Sequence, residues 1–135
     1  AGPLPRGDER ILLVEDEPLV RAAASRLLRR LGYRVHEASD GEVARRVAAD
    51  LGDDGPDLLV TDVVMPRLGG AELAAELEAR FPGLRVLFIS GYGDNHAVDR
   101  ARALPGVSFL GKPFVFEDLA RTVRRALDGE PPDPD

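Results

Sequence analysis

Short apolar runs alternate along this chain with longer amphipathic stretches, and that alternation predicts its architecture. Ile11-Leu12-Leu13-Val14 is apolar throughout and ends on Glu15-Asp16-Glu17. A run of this length bounded by polar or turn-forming residues reads as a strand buried on both faces. The stretch Leu58-Leu59-Val60-Thr61-Asp62-Val63-Val64-Met65-Pro66 reads the same way, reaching a carboxylate and then meeting a proline. Residues 86–89 and 107–110 supply two more such runs, and Tyr33 to Ala38 suits a further strand. Between them the apolar positions change to helical spacing. Leu19, Val20, Ala23, Leu27, Leu28 and Leu31 form the first such set, with Arg21, Arg26, Arg29 and Arg30 largely opposite. Pro18 suits a first helical position and Gly32 a helix stop. Further helices are predicted over 43–51, 73–81, 95–103 and 116–127, the fourth being the least apolar. Strands that alternate with helices of crossover length give a parallel sheet covered by helices on both faces.

Composition narrows the classes. A chain of 135 residues with 44% apolar and 31% charged residues has the make-up of one globular domain. It shows neither an apolar stretch of membrane-spanning length nor a signal-peptide pattern. The absence of cysteine excludes disulfides and thiolate metal sites, which suits a cytoplasmic setting. The net charge is −6, but Asp128, Glu130, Asp133 and Asp135 carry four of those charges, leaving −2 for the rest. With no dense Lys/Arg stripe either, nucleic acid is not an expected partner.

In open parallel sheets the chemistry sits outside the carboxyl ends of the strands. There the first strand delivers Glu15 and Asp16, the third Asp62, the fourth Ser90 and the fifth Lys112. Carboxylates gathered without a cation repel one another and raise one another's pKa. A hard divalent ion such as Mg²⁺ would remove that cost, since it favours oxygen ligands beside a phosphate. Mg²⁺ and Lys112 would then balance three carboxylates. A carboxylate in such a site can act as a nucleophile toward phosphorus and form an aspartyl phosphate.

These residues resemble the receiver domain of two-component response regulators. The resemblance rests on Ile-Leu-Leu-Val-Glu-Asp-Glu-Pro at 11–18, Asp-Val-Val-Met-Pro at 62–66 with Gly70 beyond it, Phe-Ile-Ser-Gly at 88–91 and Phe-Leu-Gly-Lys-Pro-Phe at 109–114. It implies a flavodoxin-like (βα)5 doubly wound α/β fold with strand order 2-1-3-4-5. Residues 10–128 would form the receiver. Residues 1–9 would be a linker end or cloning remnant, and 129–135 a disordered acidic, proline-rich tail. By resemblance Asp62 is the phosphoacceptor. Asp16, Asp62 and the backbone carbonyl of Val64 bind Mg²⁺, with Glu15 acting through water. Ser90 and Lys112 contact the phosphoryl oxygens, Phe109 holds the aromatic switch position, and the Lys112-Pro113 peptide is cis.

The implied function is a signalling switch. Asp62 takes a phosphoryl group from a histidine kinase or a histidine phosphotransfer domain, and the surface of the fourth helix, fifth strand and fifth helix then changes. Exposed first-helix residues such as Arg21 and Ala22 are the expected contact for that partner. Neither membrane contact nor nucleic-acid binding is expected of this domain, and weak homodimerisation stays open. Such a domain gains and loses its phosphoryl group without turning over a metabolite. The Arg-Gly-Asp-Glu-Arg opening and the Ser-Gly-Tyr turn look most like receivers of hybrid histidine kinases. A stand-alone receiver or a pseudo-receiver interaction module is one alternative. A Mg²⁺-dependent aspartyl-phosphate phosphohydrolase is another, but Val64 stands where such enzymes carry a second Asp as general acid. His36-Glu37 resembles a kinase phosphohistidine dipeptide yet falls in a strand pattern, where that motif needs a helix.

Overall fold

The structure is a computed structural model that describes residues 2–130; the predicted tail lies, from 131 on, outside the described residues. Strands β1 (Arg10–Val14), β2 (Arg34–Ala38), β3 (Leu58–Asp62), β4 (Arg85–Ser90) and β5 (Val107–Gly111) alternate with helices α1 (Pro18–Arg30), α2 (Gly41–Asp50), α3 (Gly70–Arg80), α4 (Asn95–Ala101) and α5 (Phe116–Asp128). All strand pairs are parallel, in the order β2-β1-β3-β4-β5. The expected flavodoxin-like fold is the one observed.

The period-2 geometry of a strand splits each apolar run between two cores. Leu12, Val14, Leu59, Val86 and Phe88 face one side and pack with Ala44, Ala48, Leu73, Ala74, Leu77, Ala97 and Ala101 of α2, α3 and α4. Ile11, Leu13, Leu58, Val60, Leu87 and Ile89 face the other side, against Ala24, Leu28, Leu119, Ala120, Val123 and Ala126 of α1 and α5. This two-sided burial explains why β1, β3 and β4 read as unbroken apolar runs rather than alternating ones.

Helix α1 keeps Val20, Leu27, Leu28 and Leu31 of its predicted face at least half-buried and departs from it at Leu19 and Ala23. Leu19 is 80% exposed and Ala23 is exposed as well, while Ala24, Ser25 and Leu28 are buried. Small side chains on the inner face allow close approach to the sheet, and Arg21 turns inward to the strand ends. Arg21 is therefore not the free exposed residue predicted. Its guanidinium donates to the Glu15 carbonyl (2.7 Å) and pairs with Glu37 (3.6 Å), whereas Ala22 is exposed.

Ahead of β1, Leu4 packs on the α1–α5 core, and Gly7 N–H donates to the Leu31 carbonyl (3.0 Å). Arg124 of α5 grips Glu9 at 2.6 Å and also bonds Asp128 at 2.8 Å. Helix α4 stops at Ala101, two residues before its predicted end, and is the shortest of the five helices. β3 ends at Asp62, and the chain then leaves the sheet in a loop. Val63 and Met65 stay buried there, while Val64 points out at 55% exposure.

Candidate functional site at the carboxyl edge of the sheet

Parallel pairing brings the predicted strand-end residues to one edge. Carboxylate oxygens of Glu15, Asp16 and Asp62 all lie within 4.8 Å of one another. Lys112 Nζ sits 3.2 Å from Asp62 Oδ1. That contact is an ion pair without the direction of a hydrogen bond, so the buried Oδ1 has no hydrogen-bond partner. Asp62 itself is only 7% exposed.

Each side chain is held by local backbone logic. Glu15 continues past β1, where its N–H donates to the Ala38 carbonyl (3.0 Å), and its carboxylate accepts from the Glu17 amide at 3.0 Å. Glu17 in turn caps α1, whose first residue is Pro18. The loop after Asp62 is closed by Gly70 N–H donating to the Val63 carbonyl (2.9 Å). Gly70 is required there, because a Cβ at this position would collide with the Asp62 carbonyl. The Thr61 hydroxyl, buried, donates to the Asp62 carbonyl at 3.1 Å. Lys112 is placed by its own N–H, which donates to the Ser90 carbonyl (2.8 Å), and the Lys112-Pro113 peptide is cis.

Burial pushes the Asp62 carboxyl above its ordinary pKa. Lys112 offsets part of that rise, and the nearby charges of Asp16 and Asp94 add to it. Burial also raises Glu15; the Glu17 amide opposes the shift and the Asp62 charge reinforces it. For Lys112, burial pulls the ammonium down, but Asp62, Glu15 and Asp16 together outweigh it and the net direction is up. A cluster in which two acids are raised and one buried oxygen lacks a donor fits a hard cation with oxygen ligands. Such an ion would satisfy the orphaned Oδ1 and relieve the mutual repulsion.

The other predicted residues lie close by. Ser90 closes β4, one residue beyond the Asp62–Ile89 pairing. The Phe109 ring stacks on buried Phe88 with centroids 5.6 Å apart, and Arg102 covers it at 5.2 Å. Val64 and Tyr92 stand exposed, two residues past Asp62 and two past Ser90. His36 lies in strand β2 rather than in a helix, with burial and then Arg10, Arg29 and Arg34 lowering its pKa.

Two residues near this edge carry no role in the sequence pattern, Arg102, which covers the Phe109 ring, and Asp94. Asp94 lies in the loop after Ser90, and its Oδ2 accepts from the Gly91 N–H at 2.7 Å. The Gly91-Tyr92-Gly93-Asp94 spacing was its available signal, since a glycine ahead of an acid is a turn pattern.

Comparison with known proteins bears on what this edge does. The family model described as the response regulator receiver domain matches residues 11–124. The sensor kinase CckA of Brucella abortus is 39% identical over 122 residues, covering 90% of this chain. The chain spans only 13% of that kinase's length. Among solved structures, the receiver domain from the hybrid histidine kinase CckA superposes with a TM-score of 0.73 at 42% identity, covering 87% of this chain and 98% of the other. A response regulator receiver domain protein from Clostridium thermocellum gives a TM-score of 0.78 at 26% identity over 89% of this chain and 94% of the other.

Proposed function

The chain belongs to the response regulator receiver domain family of two-component signalling, and on that basis we propose that Asp62 accepts a phosphoryl group from a phosphohistidine. The observation that carries this reading is the buried Asp62 oxygen without a hydrogen-bond donor, ringed by Glu15, Asp16 and Lys112.

In the transfer, an Asp62 carboxylate oxygen bonds to phosphorus as the phosphorus–nitrogen bond to the donor imidazole breaks. The bonding pair stays on the ring nitrogen, and the product is an acyl phosphate on Asp62. Burial strips Asp62 of most of its solvent, so its oxygen meets phosphorus without a water shell to shed. Lys112, already paired with it, faces the phosphoryl oxygens without having to move far. Asp16, Asp62 and the Val64 carbonyl would hold Mg²⁺, with Glu15 behind them through water. When bound, the ion neutralises charge on the phosphoryl oxygens.

Docking of the donor has support in the surface. Leu19, Val64, Tyr92, Val115 and Phe116 are the large apolar side chains exposed among the described residues. All five come from loops or helix starts at the carboxyl edge of the sheet, so they frame the acidic cluster. Exposed apolar residues grouped around a site mark a contact surface. We assign it to the helical phosphohistidine domain of a histidine kinase or phosphotransfer protein, in the cytoplasm. No helix among the described residues is long and apolar enough to cross a membrane. The similarity to CckA supports a place within a hybrid histidine kinase. Phosphorylation would draw Ser90 toward the new oxygens and let Phe109 turn inward, away from Arg102, changing the α4-β5-α5 surface.

The test is incubation with a small acyl-phosphate donor and Mg²⁺, followed by intact mass. Wild type should gain one phosphoryl group and Asp62→Asn none. Equal gain in both would remove Asp62 from its role.

A further inference from the structure

We propose, resting on the phosphoacceptor reading of Asp62, that Asp94 is a positioning residue which holds the Gly91 amide in the resting domain and yields it to the phosphoryl group. The backbone of β4 shows where that amide points. The Ile89 carbonyl accepts from Val63 N–H on the β3 side (3.0 Å), and the Ser90 carbonyl accepts from Lys112 N–H on the β5 side (2.8 Å). Backbone groups along a strand alternate sides, so the Gly91 N–H faces the β3 side, where Asp62 stands. Continuation of the ladder would offer it the Val63 carbonyl. That carbonyl instead accepts from Gly70 N–H at 2.9 Å. The Gly91 amide is thus a backbone donor at the phosphoacceptor edge, released from the sheet.

Asp94 Oδ2 takes it at 2.7 Å. The return bond runs from Asp94 N–H to the Gly91 carbonyl at 3.4 Å, closing the turn Gly91-Tyr92-Gly93-Asp94. Gly93, at φ 92°, supplies the left-handed third position that a type II turn needs. Asp94 stands at the N-cap of α4, where an aspartate ordinarily bonds the first-turn amides. It makes no such bond, because its side chain is turned back onto Gly91. The resting fold forgoes a cap to satisfy one strand-end amide.

An aspartyl phosphate presents three terminal oxygens to this edge. Lys112 and the Ser90 hydroxyl serve two directions, and Gly91 N–H is the backbone donor on the same side. One N–H cannot serve two anions, so the Asp94–Gly91 bond and a bond from Gly91 to the phosphoryl group exclude each other. Asp94 occupies the anion position before the phosphoryl group arrives, and its charge also bears on Asp62. Loading the site therefore opens the turn that leads into α4. Freed from Gly91, the carboxylate can bond the first turn of α4. A local event at Asp62 then reaches the α4-β5-α5 surface through one side chain with two alternative partners.

The experiment is an amide NMR titration of the full chain with beryllofluoride in MgCl₂, a non-covalent mimic of the phosphoryl group. Wild type, Asp94→Ala, Asp94→Asn and Asp62→Asn are compared. Before any ligand, Asp94→Ala should shift the Gly91 amide resonance. Removing a competing charged hydrogen bond should tighten the apparent beryllofluoride affinity about tenfold. Asp94→Asn keeps an acceptor without the charge and should fall between; being isosteric, it also carries the test if the alanine variant folds poorly. An Asp94→Ala protein that binds no tighter than wild type overturns the proposal, as does an unmoved Gly91 resonance. Binding by wild type but not Asp62→Asn, with no gain in either Asp94 variant, removes Asp94 alone. No binding by wild type removes both Asp94 and the phosphoacceptor reading.

Discussion

Neutralising Asp62 should make the protein more stable although it removes the proposed phosphoacceptor. Oxygens of Glu15, Asp16 and Asp62 lie within 4.8 Å of one another. At an effective dielectric of about 20, two unit charges at that distance (4.8 Å) repel by about 3.5 kcal/mol. Lys112 at 3.2 Å returns about 5 kcal/mol on the same scale, less than the two repulsions together. Asp16 and Lys112 are solvent-screened, which reduces all of these terms. Burial of Asp62 adds in the same unfavourable direction. The net for Asp62→Asn is a gain of about 1–2 kcal/mol at neutral pH, or roughly 4–8 °C in Tm for a chain of this size.

The pH dependence has a definite sign. A carboxyl raised in the folded state penalises folding above its folded pKa and not below its unfolded value, about 3.9. The advantage of the variant should be full at pH 7.5 and vanish by about pH 3.5. Thermal unfolding followed by circular dichroism in chelator measures both. Added Mg²⁺ should raise the Tm of wild type and leave Asp62→Asn nearly unmoved. A variant no more stable than wild type at pH 7.5, or a gap that persists at pH 3.5, would refute the reasoning.

Three further predictions concern the edge and its anchor. Val64 and Tyr92 cannot activate a water at the acyl phosphate, so Val64→Asn with Tyr92→Glu should hydrolyse it about tenfold faster in a phosphate-release assay, a modest gain beside the roughly 10²–10⁴-fold of a fully placed general acid or base; unchanged or slower hydrolysis counts against this. Gly70→Ala should cost at least about 2 kcal/mol in urea unfolding, because its Cβ meets backbone that cannot step aside, and it should slow phosphorylation by shifting Asp62. Arg124→Met should lose about 1–2 kcal/mol by cutting the bonds to Glu9 and Asp128. The side-chain hydrogen bond from Arg124 holds the Glu9 carboxyl below its ordinary value. That contribution is present above the unfolded pKa of Glu9 and fades as pH falls through the folded one. A stability gap between wild type and Arg124→Met that widened in acid would oppose it.

The α/β order of this chain was legible because its three inner strands are buried on both faces, and two-sided burial demands uninterrupted apolar runs. Once five strand patterns alternate with helical ones, parallel pairing follows, and all strand ends point one way. Glu15, Asp16, Asp62, Ser90 and Lys112 could therefore be placed on one edge before any contact was known. The inner face of α1 could not be read so directly. Alanines at 22, 23 and 24 satisfy either face of a helix, and only the fit of Ala24 and Ser25 against the sheet, with Arg21 drawn to Glu15 and Glu37, turned Leu19 outward. Arg102 over Phe109 was hidden for the same reason, since nothing local says which aromatic ring a guanidinium will cover.

Asp94 marks that boundary most sharply. Local sequence around it offers no more than a turn after Gly91 and a cap position ahead of α4. The observed bond to Gly91 depends on β3 bending away after Asp62 and on Gly70 claiming the Val63 carbonyl. Local chemistry along the chain determined the fold class and the acidic edge, because burial and strand direction are properties of patterns. Which donor meets which acceptor was decided only by tertiary structure, because that depends on what three separate strands have already used.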